Sequence, residues 1–509
     1  MDYILNSSQM FAAESAAVAR GGSFLDLMER AGCRCAEEIL KRIAPGARVC
    51  VLVGKGKNGG DGYVIARELH RAGCEVHVLQ IYGEPRAEDA IVNRDRAAAL
   101  GIQILDAPGP NLAARIIAAS DAVVDAVFGT GFRGAADDAL KMTAEIVAQK
   151  KVRVFAIDVP SGANADTAQI EGAEIRADVT FAIAAKKPIH VLKPNCSVCG
   201  ETIMIDIGIL PEELSGAAAL PCAALTDEDL RAMLPPRIPV SNKGTYGHAL
   251  CVCGSRRMIG AGVLSVRGAL RSGAGLVTAA FPDAAYNGIA PQLTEPLLLP
   301  LASNDAGSFS ADAVRELLPA VERASAALIG CGLAQNEDTA AVLEAVLRSV
   351  KTTLVIDADG INLLSRNTNI LKELQAKIVL TPHPGEMRRL TGLTVEEILA
   401  DPVSVAANFA QAHHVTVLLK GANTVITDGT RAVINTTGND GLAKGGSGDL
   451  LAGLLVGLCA QGMQPFEAAA AAAYLHGKAA ELASAQTSRR GMLPGDAADL
   501  LPVILSDYE

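Results

Sequence analysis

Gly54-Lys55-Gly56-Lys57-Asn58-Gly59-Gly60-Asp61-Gly62 is the stretch that decides how this chain folds. An aliphatic, strand-like run over 49–54 leads into it, and a helical pattern over 62–72 leaves it. Strand, glycine-rich turn and helix in that order make an anion site. The glycines let the backbone come close, and the helix start offers free N–H groups at its positive end. A second loop of a different kind, Gly445-Gly446-Ser447-Gly448-Asp449, opens another helix far downstream. Two such loops predict two phosphate-facing sites in one polypeptide.

Outward from the first loop, strand-like runs at 75–82, 122–128, 152–157, 179–183 and 201–209 alternate with helical stretches such as 137–149. That alternation predicts a parallel sheet with helices on both faces. A proline-bearing segment over 211–239 then interrupts the pattern and predicts a domain boundary near 213–224. The expected domains are therefore 1–213 and 224–509. The second half restarts the alternation, with strands expected at 249–253, 276–280, 327–329, 354–356, 378–380, 415–419, 424–427 and 432–435. Long helices are expected over 448–461 and 466–485. The fold class is α/β in both halves.

Composition bounds the function. The 509 residues are 50% hydrophobic and 20% charged, and a net charge of −11 argues against nucleic acid or an anionic membrane as the main partner. The eleven cysteines form no regular framework, and Cys196-Ser-Val-Cys199 has no second pair to complete a zinc site. This usage fits a reducing cytoplasm. The first residues show no basic and apolar leader pattern. The most apolar stretch, 450–460, is about half the ~20 residues of a membrane span and carries Gly453 and Gly457.

Gly54-x-Gly56-x-x-Gly59 matches the dinucleotide fingerprint, a weak signal alone. The ribose-binding acid expected at the end of the next strand is missing, where Val78-Leu79-Gln80 stands. An ordinary NAD dehydrogenase is therefore disfavoured. Later strand ends carry Asp125, the string Phe128-Gly129-Thr130-Gly131-Phe132-Arg133-Gly134, then Asp158-Val159-Pro160-Ser161-Gly162, and Lys186-Lys187-Pro188. In an open α/β sheet these ends converge on one crevice. Amide, carboxylate and hydroxyl oxygens from Asn58, Asp125 and Ser161 would suit a hard cation. Asp125 alone could instead be a helix cap or turn former.

In the second loop, Asp449 stands where it could take a proton from a hydroxyl attacking a phosphoryl group held by the N–H groups before it. No Walker sequence occurs. Lys420-Gly421-Ala422-Asn423-Thr424 lies between two strands, as a cradle for a nucleotide phosphate and ribose would. His383 is fixed between Pro382 and Pro384, which favours a ligand contact. Asp357-Ala358-Asp359-Gly360 reads as a site or as a cap.

On these motifs residues 1–210 resemble the NAD(P)H-hydrate epimerase family, with a Rossmann-like three-layer αβα sandwich. Residues 224–505 resemble the ribokinase-like NAD(P)H-hydrate dehydratase family. The order matches the fused bifunctional enzyme of bacteria. The resemblance implies epimerisation of the R and S hydrates of NADH and NADPH, and ADP-dependent dehydration of the S form with release of AMP and phosphate. It implies epimerase substrate contacts at Lys57, Asn58, Gly59, Gly60, Asp61, Gly129, Thr130, Gly131, Phe132, Arg133, Gly134, Ala135 and Asp158. Potassium would bind at Asn58, Asp125 and Ser161, and Asp158 would give acid–base help. It implies dehydratase contacts at Ala261, Gly332, His383 and Asp449, with Asp449 as catalytic base. Nucleotide contacts would fall at Lys420, Gly421, Ala422, Asn423, Thr424 and Gly448, with magnesium and ADP as cofactor and co-substrate. A cytoplasmic homo-oligomer acting on small molecules, without nucleic acid or membrane, is expected. Three positions depart from the family pattern. Lys57 replaces an asparagine, and could strengthen phosphate binding or repel potassium. Cys331 replaces a proline, and Lys444, replacing a threonine, would add charge beside the phosphate. A small-molecule kinase and a nucleotide-binding sensor without turnover are the rival readings.

Overall fold

A computed structural model describes all residues, 1–509. It divides into two compact units, Asp2–Cys222 and Met1 with Ala223–Glu509. The strands are, in chain order, β1 (Asp2–Tyr3), β2 (Arg48–Val53), β3 (Glu75–Gln80), β4 (Gln103–Asp106), β5 (Ala122–Ala126), β6 (Arg153–Ile157), β7 (Val179–Ile183), β8 (Glu201–Ile205) and β9 (Cys222–Ala224). There follow β10 (His248–Val252), β11 (Leu276–Pro282), β12 (Leu297–Leu301), β13 (Ala326–Ile329), β14 (Thr353–Ile356), β15 (Lys377–Leu380), β16 (Thr416–Leu419), β17 (Val425–Thr427) and β18 (Ala432–Ile434).

The first unit holds a seven-stranded sheet in the order β4-β3-β2-β5-β6-β7-β8. Every pair in it is parallel. The order reverses between β2 and β5, the switch point where ligands bind in such sheets. The central strands are apolar on both faces because helices cover both: Val49, Val51 and Val53 face one core, Cys50 and Leu52 the other.

In the second unit the sheet runs β18-β17-β16-β15-β14-β13-β10-β11-β12. It is parallel from β12 to β16, and β16, β17 and β18 are antiparallel to one another. β4 and β12 were not foreseen. Both are sheet edges with partly exposed residues: β4 has polar ends, and the leucine run of β12 is interrupted by Pro300, which sheets tolerate at an edge.

The helix Ser447–Ala460 carries the second loop's aspartate, and it packs backbone to backbone on the helix Ile259–Arg271. A Cβ on Gly453 would lie 1.9 Å from the Ser265 carbonyl oxygen, and one on Gly268 would lie 2.4 Å from that of Leu450. No side chain can relieve such a contact. Gly453→Ala is therefore expected to destabilise this unit by ~1–3 kcal/mol or more and to move the helix that positions Asp449. A thermal melt and a dehydration assay check this; an unchanged melting point would refute the tight-crossing account.

Candidate active sites at the two strand-end crevices

In the first unit the loop is shorter than its sequence suggests. The helix starts at Lys57 and runs Lys57–Arg71, so residues 57–61 form its first turn. A Cβ on Gly59 would meet the Gly54 carbonyl oxygen at 2.2 Å, which fixes the tight entry. Beyond β2 and β5 opens a cavity of about 660 Å³. It is lined by Lys57, Asn58, Asp61, Gly129, Thr130, Gly131, Phe132 and Asp158 among the expected residues. Gly59 and Gly60 are buried beneath it and serve packing. Arg133, Gly134 and Ala135 fall outside its lining: Arg133 is tied to Asp166 and Ser7 at 2.6 Å each, and all three residues are exposed.

Lys57 turns its ammonium onto aromatic rings. Its Nζ stands over the Phe24 ring, 4.1 Å from the centroid, and 5.7 Å from that of Phe11. The aromatic faces hold the ammonium. Phe11 and Phe24, absent from the sequence reading, also line the cavity, as do Glu14, Tyr82 and Lys187.

Behind the cavity, Asp125 is fully buried and has no cationic partner. Its carboxylate accepts from the Ser161 hydroxyl (2.6 Å), the Ser161 N–H (2.8 Å) and the Val127 N–H (3.3 Å). Burial raises its pKa to about 6 against these bonds. Ser161 Oγ in turn accepts from the Phe128 N–H at 2.9 Å. Asn58 packs under Gly129, and its Nδ2 is buried without a partner.

Asp158 follows β6 with a left-handed φ of 64°, uncommon for a residue with a side chain. Lys187, wholly buried, donates to Asp158 Oδ1 and, at 2.8 Å, to the Ile183 carbonyl. His190 accepts at Nδ1 from the Lys187 N–H (2.9 Å) and meets the Asp158 carbonyl at Nε2 (2.8 Å). Burial, then the neighbouring Lys187, lowers its pKa to about 3, so it is neutral and serves as a clamp.

In the second unit the ends of β10, β13, β14, β15 and β16 bring the expected residues to one place. Lys420 Nζ lies 2.7 Å from Asp357 Oδ1 and 3.9 Å from Glu386. Gly448 lies against this pair, since a Cβ on it would be 3.3 Å from Lys420 Nζ. Cys331 Sγ is 3.7 Å from Asp357 Oδ2, and the side-chain ligand atoms of Cys331, Asp357 and Asp449 lie within 4.8 Å of one another. Gly332 abuts Ala261, with 2.9 Å between a would-be Cβ and that of Ala261. His383 accepts at Nδ1 from the Gly385 N–H at 2.9 Å and caps its helix. Burial and Lys420 lower its pKa, so it is neutral near pH 7. Thr424 accepts from the Gly421 N–H at 3.4 Å, closing the turn between β16 and β17. Gly446, at φ 96°, turns the chain into the helix. Burial first, then the charge of Asp357, raises the pKa of Asp449. Burial likewise raises Glu386 to about 7.

Two expectations change here. The Lys444 ammonium is not free to reach a phosphate: it donates to the carbonyls of Arg490 (2.6 Å) and Met492 (2.5 Å). Asp357 is no surface cap, being buried and ion-paired. Removing its partner leaves a buried unpaired charge, so Lys420→Met is expected to cost ~3–5 kcal/mol of this unit's stability as well as nucleotide affinity. Denaturant unfolding checks the first and ADP titration the second; no change in either would exclude the pairing.

Two parallel-sheet units, each with a helix-opening glycine loop at its strand ends, define a nucleotide-handling α/β protein whose second unit is ribokinase-like. Residues 249–503 match the family model described as NAD(P)H-hydrate dehydratase, and residues 25–189 match that of the YjeF-related protein N-terminus. The bifunctional NAD(P)H-hydrate repair enzyme of Moorella thermoacetica is 39% identical over 95% of this chain and 92% of its own length. That of Escherichia coli is 34% identical over 94% and 88%. The ADP/ATP-dependent NAD(P)H-hydrate dehydratase of Bacillus subtilis, solved with ATP and magnesium, is 33% identical with a TM-score of 0.50, over 56% of this chain and 99% of its own. The chain belongs to the family of bifunctional NAD(P)H-hydrate repair enzymes.

Proposed function

We propose that the Asp2–Cys222 unit epimerises the hydrates of NADH and NADPH, and that the second unit dehydrates the S hydrate at the expense of ADP. The observation that carries the second assignment is the half-buried carboxylate Asp449 at the start of a glycine-opened helix, beside the Lys420–Asp357 pair. A carboxylate raised by burial is a better base than an exposed one. Asp449 takes the proton as the substrate hydroxyl attacks the terminal phosphorus of ADP, and AMP leaves. The substrate's C–O bond then breaks, phosphate departs with the pair, and the ring nitrogen's lone pair fills the gap. Loss of the neighbouring ring proton restores the dihydronicotinamide. The N–H groups at 445–448 hold the transferring phosphoryl group, and Lys420 faces nucleotide phosphate.

Asp357, Asp449 and Glu386 confront the single ammonium of Lys420. This excess of carboxylate fits magnesium, which Asp357 would hold with the nucleotide phosphates, leaving Asp449 to act as base. When bound, magnesium offsets the charge on the transferring group.

Potassium fits the first unit by the same kind of test. Asp125 is a buried carboxylate without a counter-cation, and the orphaned Asn58 amide, flipped, would present oxygen instead. Asn58, Asp125 and Ser161 would hold the ion and anchor the loop at 128–132. Epimerisation is expected to fall when potassium is replaced by tetramethylammonium, and Asp125→Asn to abolish the response. Lys57→Asn is expected to leave the potassium response unchanged, because the ammonium already sits on Phe24. A shifted potassium titration in that variant would contradict this.

No helix is long and apolar enough to cross a membrane. A homo-oligomer working in the cytoplasm is the assembly and location that this reading carries; light scattering of the purified protein tests the first. The experiment that tests the whole is NAD(P)H recovery from mixed hydrate with ADP and magnesium. Phosphorylated substrate accumulating without recovery would point to a kinase.

A further inference from the structure

Four carboxyl groups line the first unit's cavity, Asp89 among them, and three of these, Glu14, Asp61 and Asp158, act on one another beside one buried ammonium. These three come from three elements: the helix Ser7–Ala19, the helix Lys57–Arg71 and the turn after β6. The ammonium of Lys187 is committed to one of them. It donates to Asp158 Oδ1, which also accepts from the Ile183 N–H at 3.2 Å. The His190 clamp holds the Asp158 and Lys187 backbones together. Asp61 is only 9% exposed, lines the cavity, and its carboxyl group has neither a hydrogen-bond nor an ion-pair partner in the protein. With little water and no donor or cation to compensate a negative charge, the protonated form is favoured there. Its neighbours push the same way. Burial first, then Asp158 and Glu14, raise its pKa well above the ordinary value, against weaker help from Lys187 and Lys57. Cys35, from the helix Phe24–Leu40, is the other titratable group near it, buried and protonated. A carboxyl group without a partner, beside a second one held by a buried ammonium, divides the roles of acid and base.

We propose that Asp61 is the proton-carrying acid of the epimerase site, that Asp158 is its base, and that Lys187 is the positioning residue that keeps the charge on Asp158. The proposal rests on the epimerase reading of this unit. The hydrate carries its hydroxyl on the ring carbon bonded to nitrogen. Asp158 takes the hydroxyl proton, the oxygen pair forms a C=O bond, and the ring C–N bond breaks. The nitrogen keeps that pair and receives the Asp61 proton, giving an open-chain aldehyde and an N–H. Rotation about the adjacent C–C bond turns the other carbonyl face to the nitrogen. Closure returns a proton from nitrogen to Asp61 and one from Asp158 to oxygen, so both carboxyl groups end as they began. This path loses no water. An iminium formed by expelling hydroxide would stand one proton loss from NAD(P)H and would make the nucleotide-dependent unit redundant.

The test uses the full chain, following R and S hydrates by chromatography, with ADP-dependent dehydration of S hydrate as the control for an intact fold. Asp61→Asn is expected to lower epimerisation at least ~100-fold with dehydration retained. Lys187→Met is expected to lower kcat with little change in KM and to move the acid limb of the pH profile upward by about one unit. Lys187→Arg should restore most of that limb. Epimerisation by Asp61→Asn within about threefold of the unaltered chain would overturn the acid assignment. An unmoved acid limb in Lys187→Met would reduce Lys187 to a packing role. Should Asp61→Asn not fold, hydroxylamine added to the unaltered chain decides: enzyme-dependent oxime supports ring opening, and its absence overturns it. No epimerisation by the unaltered chain would sink the epimerase reading itself.

Discussion

Asp449→Asn is expected to lose ADP-dependent dehydration by ~10²–10⁴-fold, the usual worth of a positioned base, while epimerisation stays near its original rate. The amide keeps the shape of the carboxylate and its place at the helix start, so the phosphate-facing N–H groups at 445–448 remain. What goes is the only group on that helix turn able to accept the hydroxyl proton. The side chain is partly buried beside Asp357 and Cys331, so the substitution also removes one negative charge from a crowded site. Binding of ADP is therefore expected to be unchanged or tighter, which separates lost chemistry from lost affinity. Steady-state kinetics on S hydrate and ADP titration read the two. Dehydration within tenfold of the unaltered chain would remove Asp449 from the base role.

Asp158→Asn is expected to do the converse. Epimerisation falls by ~10²–10⁴-fold and dehydration of S hydrate persists. This change carries an additional cost, because the Lys187 ammonium is wholly buried and loses its only anionic partner. Breaking a buried pair from one side costs ~3–5 kcal/mol, so the first unit should melt earlier as well. The double change Asp158→Asn with Lys187→Met is expected to recover stability without recovering epimerisation. Thermal unfolding and chromatographic separation of R and S hydrates check both halves. Stability recovered together with epimerisation would show that Asp158 matters only to packing.

The architecture was legible where burial writes a simple pattern. Central strands such as β2, β6 and β14 are covered on both faces and read as short aliphatic runs ending in glycine or aspartate. The edge strands β4 and β12 face solvent in part; β4 has polar ends, and Pro300 obscures the leucine run of β12 as a strand. The glycine loops were legible because close backbone approach forbids a side chain at Gly59 and a left-handed φ disfavours one at Gly446. Side-chain direction was less so. Spacing could not tell that Lys57 turns onto Phe24, or that Lys444 is absorbed by two carbonyls at 490 and 492. Arg133, expected among the epimerase substrate contacts, is likewise held by Asp166. The groups missed came from helices distant in sequence, Phe11 and Glu14 from one and Phe24 from another. No local motif announces that an exposed-looking helix face closes a cavity. Lys187 stood in plain view at a strand end, but only the fold shows that it is buried against Asp158.

The most direct test of the central claim, two activities on two units, is the rise of dihydronicotinamide absorbance when the purified chain meets mixed R and S hydrate with ADP and magnesium. The account predicts recovery of NAD(P)H from both epimers, and recovery halting at the S share in Asp158→Asn. Recovery that stops at the S share in the unaltered chain, beyond spontaneous epimerisation, would contradict the first activity. No recovery with ADP or ATP would contradict the second.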